Sequence, residues 1–259
     1  MANNFSIGLF DSGIGGISIY NQIKKSLPNE SIIYIADNLN SPYGKKSKAE
    51  IIQLSIKNTQ RLVDLKCKLI VVACNTATTN SIEILRKKFN IPIVGIEPSI
   101  KPAMLETKTN NIGVLATEKT LSSDLFRKTR SRFSKGVNIH EQIGFDLVKI
   151  IEENGIKKNL LNYKLKEYVQ PMIIKDIDHL VLGCTHYYFL IDILKNILPK
   201  GVKILDSSKA ITKRIQHLLE DYNISSNTLE AKNIFLYTGN DYVIKKFLSS
   251  EDKISKITI

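Results

Sequence analysis

The chain has 259 residues, 43% of them hydrophobic, which is enough for a sizeable core and excludes a disordered chain. Lys and Arg number 37 against 25 Asp and Glu, giving a formal net charge of +12, yet no apolar run approaches the roughly 20 residues that span a bilayer. The excess is mostly lysine, scattered over expected helix surfaces without interleaved aromatics, which argues against nucleic acid and for a solvated surface.

In chain order, Ile7–Phe10 reads as a first strand with no basic-then-apolar leader before it, so the expected location is the cytoplasm. The strand runs into "FDSGIGG", Phe10 to Gly16. Ser18 breaks a full dinucleotide-binding glycine pattern and no Walker lysine follows. The turn therefore reads as backbone N–H groups offered to a small anion such as an amino-acid carboxylate, with Asp11 as a proton-accepting neighbour to a thiol. A helical pattern over Ile14–Leu27 leads to a strand at Ile32–Ile35, which exits into "ADNLNSPYG". A second helical pattern, Lys48–Leu65, precedes the strand Leu69–Ala73 and the cluster "ACNTATT".

The spacing then predicts a helix over Ser81–Phe89, a strand at Ile93–Ile96 and a crossing at "EPSIKPA", marked by two prolines. Beyond it come a strand at Ile112–Ala116, a helix over Leu121–Phe133, and strands at Val137–His140 and Leu180–Gly183. The segment Phe126–Gly136, "FRKTRSRFSKG", is the best candidate for an anion patch and reads first as an exposed helix face. Leu180–Gly183 exits into "GCTHYY". A strand at Val202–Leu205, a second crossing near "LDSSKA", a helix over Ser208–Tyr222 and a strand at Ile234–Tyr237 close the pattern.

Short Val/Ile/Leu runs between helices indicate parallel strands buried on both faces, an α/β class. Every polar cluster sits at a strand exit, where ligands gather in such sheets. "LIVVACNTATT" and "HLVLGCTHYYFL" share the order apolar run, small residue, Cys and polar pair, each leading towards an amphipathic helix. The repeat predicts two similar parallel-sheet lobes facing a cleft, with residues 1–97 plus 211–259 in one and 98–210 in the other.

The three cysteines are Cys67, Cys74 and Cys184, an odd count that fits a reducing compartment, and no zinc spacing is present. Cys67 reads as a small buried hydrophobe. Cys74 and Cys184 stand at strand exits before expected helix starts, where N–H groups and a helix dipole favour thiolate. Two such thiols from facing lobes can remove and return a proton on opposite sides of one carbon. His140, His179 and His217 lack polar company of this kind and read as surface or packing residues.

The set "GLFDSGIGG", "ADNLNSPYG", "VVACNTATT", "IPIVGIEPSIKPA", "LATEKT" and "LVLGCTHYYFL" resembles the glutamate racemases of the aspartate/glutamate racemase superfamily, over most of the chain. The resemblance implies a cofactor-independent, metal-independent isomerase that interconverts L- and D-glutamate and supplies D-glutamate for peptidoglycan, cell-wall biogenesis and cell shape. It implies Cys74 and Cys184 as the two acid/bases, the first acting on the D-isomer and the second on the L-isomer. Asp11 matches the helper of the first cysteine and His186 that of the second, and Glu152 falls where the family has a further helper acid. Ser12, Tyr43, Gly44, Asn75, Thr76, Thr117, Thr120 and Thr185, with Asp11 and His186, match substrate-holding positions. Two departures stand out: the proline usually found two residues past the histidine is Tyr188, and "QIGFDLVKIIEENG" replaces the usual Cys-Pro before the helper acid.

As partners, the resemblance implies glutamate as the small-molecule substrate, is compatible with a homodimer, and carries binding to DNA gyrase as a family-level property. Two other readings stay open at this stage. One is a racemase of the same superfamily acting on aspartate or a related small acid; the other is a binding protein whose catalytic role is secondary.

Overall fold

The computed structural model describes residues 5–134, 136–156, 158–248 and 252–259. The order is β1 (Ile7–Asp11), α1 (Ile17–Ser26), β2 (Ile32–Ala36), α2 (Lys48–Asp64), β3 (Leu69–Val72), α3 (Asn75–Lys88), β4 (Ile93–Gly95), α4 (Ile100–Glu106), β5 (Asn111–Ala116), α5 (Glu118–Leu121) and α6 (Asp124–Phe133). There follow β6 (Asn138–Ile143), α7 (Leu147–Asn154), α8 (Lys158–Ile173), β7 (His179–Gly183), α9 (Ile191–Ile197), β8 (Lys203–Leu205), α10 (Ser208–Asp221), β9 (Asn233–Tyr237) and β10 (Lys253–Lys256).

The strands form two parallel sheets, β10-β9-β2-β1-β3-β4 in lobe one and β6-β5-β7-β8 in lobe two. Helices cover both faces, so the central strands bury every residue: β1, β2, β3 and β7 have no exposed position. Burying each Val, Ile or Leu of such a strand stabilises the fold by roughly 1.5–3 kcal/mol. The chain passes between the lobes after β4 and again before α10. Ser99 and Ser207, one on each passage, lie with their hydroxyls 3.0 Å apart. The segment after α10 returns to lobe one, where β9 pairs with β2.

Local chemistry accounts for where the elements begin. Ser47 and Glu50 form a capping box that starts α2. The expected helix over Leu121–Phe133 is α6, which starts at Asp124 under a Ser123 cap, and the short α5 before it, capped by Thr117, was not expected; each cap accepts an N–H from its third following residue. Helix α3 starts at Asn75, not Ser81, because Cys74 itself is its N-cap. After Cys184 the chain forms a 3-10 helix, Thr185–Leu190, before α9. Helices α7 and α8 and strand β10 lie outside the elements expected from periodicity. Strand β10, "KISK", is a lysine-flanked edge strand too short and polar to stand out. Of the segment Phe126–Gly136, α6 carries residues up to Phe133, and Lys135 lies outside the described residues.

At the opposite end of lobe one from the strand exits, Lys68 and Glu30 form a buried ion pair at 2.7 Å. The second carboxylate oxygen of Glu30 accepts the Ser226 N–H at 2.8 Å, which ties the returning segment to the entrance of the sheet. Tyr188, in the position where proline was expected, is buried, and its hydroxyl accepts the Ser207 N–H at 3.0 Å. The larger side chain thus fastens the second passage between lobes. Among the described residues no helix is long and apolar enough to cross a membrane.

Candidate active site

Three strand exits converge on one small cavity. The turn after β1 contributes Ser12; the exit of β3 contributes Cys74, Asn75 and Thr76; the exit of β7 contributes Cys184, Thr185 and His186. Pro42, Tyr43 and Gly44 from the β2–α2 connection, Thr117 from β5 and Val148 from α7 complete the wall. Both thiols, one from each lobe, therefore face the same space. That space is about 10 Å³ measured at the centre of a water molecule, room for about one water. Asp11, Thr120 and Glu152 stand one layer behind, each bonded to a residue of the wall. Pro42 and Val148 were not expected.

On the first side, Cys74 is buried at 5% exposure. Its Sγ accepts the Ala77 N–H at 3.5 Å and donates to Ser12 Oγ at 3.8 Å. The Ser12 hydroxyl in turn donates to Asp11 Oδ1 at 3.3 Å. Asp11 therefore reaches the thiol through a hydroxyl. Burial pushes the Asp11 carboxyl up to about 6, while the His186 charge, the Gly13 N–H and the Thr185 hydroxyl pull it back. The expectation that the helix start would favour thiolate at Cys74 is corrected here. Burial, and next the Asp11 charge, raise its pKa, and the Ala77 N–H is too weak to reverse them.

On the second side, Cys184 lies with Sγ 4.0 Å from His186 Nδ1. His186 Nε2 is 2.6 Å from Glu152 Oε1. Burial works against a charged imidazole, but the contacts with Cys184 and Glu152 outweigh it and hold His186 well above its ordinary range. An imidazolium thus lies against one sulfur and a carboxyl lies behind the other. The predicted helix start after Cys184 is a 3-10 turn, Thr185–Leu190.

The glycine turn works differently from the expectation. Its Gly13 N–H goes to Asp11 Oδ1 at 2.8 Å and its Ile14 N–H to Glu152 Oε1 at 3.1 Å, so the protein's own carboxylates occupy these donors. The glycines are needed for close approach. A Cβ on Gly15 would stand 2.5 Å from His186 Nδ1 and 2.8 Å from the His186 backbone N, and one on Gly13 would run into Glu152 Oε1. Opposite, three hydroxyls form a triangle: Thr76 to Thr117 at 2.8 Å, Thr117 to Thr120 at 2.9 Å and Thr76 to Thr120 at 3.3 Å. Asn75 is buried, its amide reaching Ile96 O at 3.5 Å.

The remaining cysteine and histidines lie elsewhere. Cys67 is buried beside Gly8, and burial pushes its thiol up to about 12, which favours the neutral thiol. His179 is buried against Asp178 at 2.7 Å, His140 reaches Asn111 at 3.0 Å and His217 is exposed. Among the described residues no group of three or more His, Cys, Asp or Glu side chains is arranged to hold a metal ion.

The family model of Asp/Glu/hydantoin racemases matches residues 7–215. A glutamate racemase of Herpetosiphon aurantiacus is 41% identical over 235 residues, covering 91% of this chain and 92% of that protein. Among solved structures, a glutamate racemase isoform of Bacillus anthracis superposes with a TM-score of 0.90 at 29% identity, covering 99% of this chain and 98% of that one. The Francisella tularensis glutamate racemase, solved in complex with D-glutamate, gives a TM-score of 0.86 at 29% identity, covering 98% of each chain.

Proposed function

The chain belongs to the Asp/Glu/hydantoin racemase family, and from that premise we propose that it interconverts L- and D-glutamate by a two-base mechanism in which Cys74 and Cys184 work on opposite faces of the α-carbon. The observation that carries this reading is that one thiol from each lobe lines a single cavity. L-glutamate enters with its α-hydrogen towards Cys184. The Cys184 thiolate, beside the His186 imidazolium, takes the proton, and the Cys74 thiol delivers its own to the other face. The product is D-glutamate, with Cys184 now a thiol and Cys74 a thiolate. D-glutamate reacts by the reverse route. Ser12–Asp11 on one side and His186–Glu152 on the other are the relays through which, after each turnover, the newly protonated sulfur gives up its proton and the ionised one regains one.

The α-proton of an amino acid is very weakly acidic, so the carbanion-like state needs fixed donors in a water-poor site. Asn75, Thr185 and the N–H groups of Tyr43 and Gly44 are suited to the α-carboxylate. The Thr76 and Thr117 hydroxyls, held from behind by Thr120, are suited to the side-chain carboxylate, since two donors can turn to one anion without a buried cation. The D-glutamate formed serves the cell-wall peptide, in the cytoplasm, where free thiols stay reduced.

The test is racemisation in deuterated water. With L-glutamate as substrate, early D-glutamate should carry deuterium at the α-carbon while recovered L-glutamate does not. Equal early labelling of both isomers would indicate one base and overturn the two-thiol reading, and turnover of aspartate at a comparable rate would overturn the substrate.

A further inference from the structure

We propose that Asp37 is a positioning residue for this site: it holds Tyr43 and Gly44 in place as the cavity wall. The assignment rests on the reading of the cavity as a glutamate site. Asp37 follows β2 and is 0% exposed. Its side-chain partners among the described residues are all neutral donors. Oδ1 accepts Asn40 Nδ2 at 2.9 Å and the Thr238 hydroxyl at 2.8 Å. Oδ2 accepts the Tyr43 hydroxyl at 2.6 Å and Asn58 Nδ2 at 3.3 Å, and Asn40 Nδ2 also reaches it at 3.2 Å. A carboxylate can satisfy such a ring of donors; an amide cannot, because one of its two ends is itself a donor.

The ring gathers three parts of the chain. Asn40 and Tyr43 belong to the β2–α2 connection, Asn58 to α2, and Thr238 to the exit of β9. Thr238 also accepts the Leu39 N–H at 3.0 Å, and Asn58 Nδ2 reaches the Tyr43 hydroxyl at 3.2 Å. The Tyr43 hydroxyl is thereby committed to Asp37. What Tyr43 offers the cavity is its ring and its backbone. Tyr43 and Gly44 begin a 3-10 turn, Tyr43–Lys45, whose first N–H groups have no partner within the turn. Gly44 is pressed against Thr117, from which a Cβ there would be 3.1 Å. Fixing the tyrosine hydroxyl from behind therefore fixes where two backbone donors point. The returning C-terminal segment takes part in the site through this carboxylate, without touching the cavity.

Kinetic constants and melting temperatures of the wild type, Asp37→Asn and Thr238→Val test the assignment. Wild-type turnover of glutamate is the control for the underlying reading, and its absence would sink that reading rather than this one. A displaced binding wall weakens ground state and transition state alike, so KM should rise about tenfold in Asp37→Asn with kcat changed far less. A role in folding alone would lower the active fraction, and hence kcat, and leave KM unchanged. Thr238→Val removes one donor and keeps the shape; it should raise KM in the same direction, and it keeps the test decisive if Asp37→Asn does not fold. In the double variant the two increases in KM should combine to less than their product, because both act through one carboxylate. KM within twofold of wild type in Thr238→Val and in any folded Asp37→Asn, or fully multiplicative increases, would overturn the assignment.

Discussion

Burial holds the Asp11 carboxyl at about 6 against an ordinary 3.8, so the folded protein binds this proton more tightly than the unfolded chain does. The sign follows directly. Below pH 3.8 the group is protonated in both states and costs nothing; as pH rises from 3.8 towards 6 the unfolded chain ionises while the buried carboxyl stays protonated, and the folded state loses stability relative to the unfolded one. Above 6 the loss is complete, amounting to about 3 kcal/mol at most. Asp11→Asn removes the ionisation, so its stability relative to wild type should rise between about pH 4 and pH 6 and then level off. Urea unfolding of both proteins at pH 4 and pH 7.5 measures this, and a difference independent of pH would mean that Asp11 does not ionise as a buried group. Activity should move the other way. Without the Ser12–Asp11 relay the Cys74 proton has no nearby acceptor, and kcat should fall on the order of a hundredfold or more.

The turn after β1 shows what a single element contributes when two lobes must touch. Gly15 has no room for a side chain because the His186 backbone lies against it. In Gly15→Ala the lobes should be unable to close on each other while each keeps its own core. Thermal melts should stay near wild type and kcat/KM should drop on the order of a hundredfold, as expected when reacting groups are displaced by about an ångström. Full activity of this variant would mean that turnover does not use the closed arrangement. The same turn marks the limit of what its sequence reveals. Cys74, Cys184 and their polar neighbours were legible because reactive side chains at the end of an apolar run have few structural reasons to be there. The partner of Ile14 was not, since the choice between a substrate anion and the protein's own carboxylate depends on a residue 138 positions away. Val148 reads as one more buried position on an amphipathic helix, and nothing local distinguishes a wall of the cavity from core. Helix α8 carries a regular apolar stripe, Leu161, Leu165, Tyr168 and Met172, whose helical period is legible in the sequence.

Across the whole molecule, the lobes are joined at the cavity by carboxylates of the proposed machinery itself: Thr185 donates to Asp11 at 2.9 Å and the Ile14 N–H to Glu152 at 3.1 Å. At the mouth, Lys45 and Asp146 pair at 3.3 Å across the gap. Both side chains of that pair are half exposed or more, so it is worth less than about 1 kcal/mol and cannot hold the lobes shut alone. A cavity with room for one water cannot receive glutamate without enlarging, and packed side chains do not yield that much space by rotamer changes alone. The lobes must therefore part for substrate to enter and product to leave. Parting breaks the Thr185–Asp11 and Ile14–Glu152 bonds, exposing the Ile14 amide and the 3-10 turn at Thr185 to water. Hydrogen exchange should report this as faster labelling of peptides spanning 12–16 and 184–190 than of peptides within β1 and β7 in the free enzyme. Saturating D-glutamate should slow the first group and leave the second unchanged, because ligand held between the lobes stabilises only the closed form. Uniformly slow exchange in all four segments, with and without ligand, would show that substrate reaches the thiols by a route that leaves the two lobes in contact.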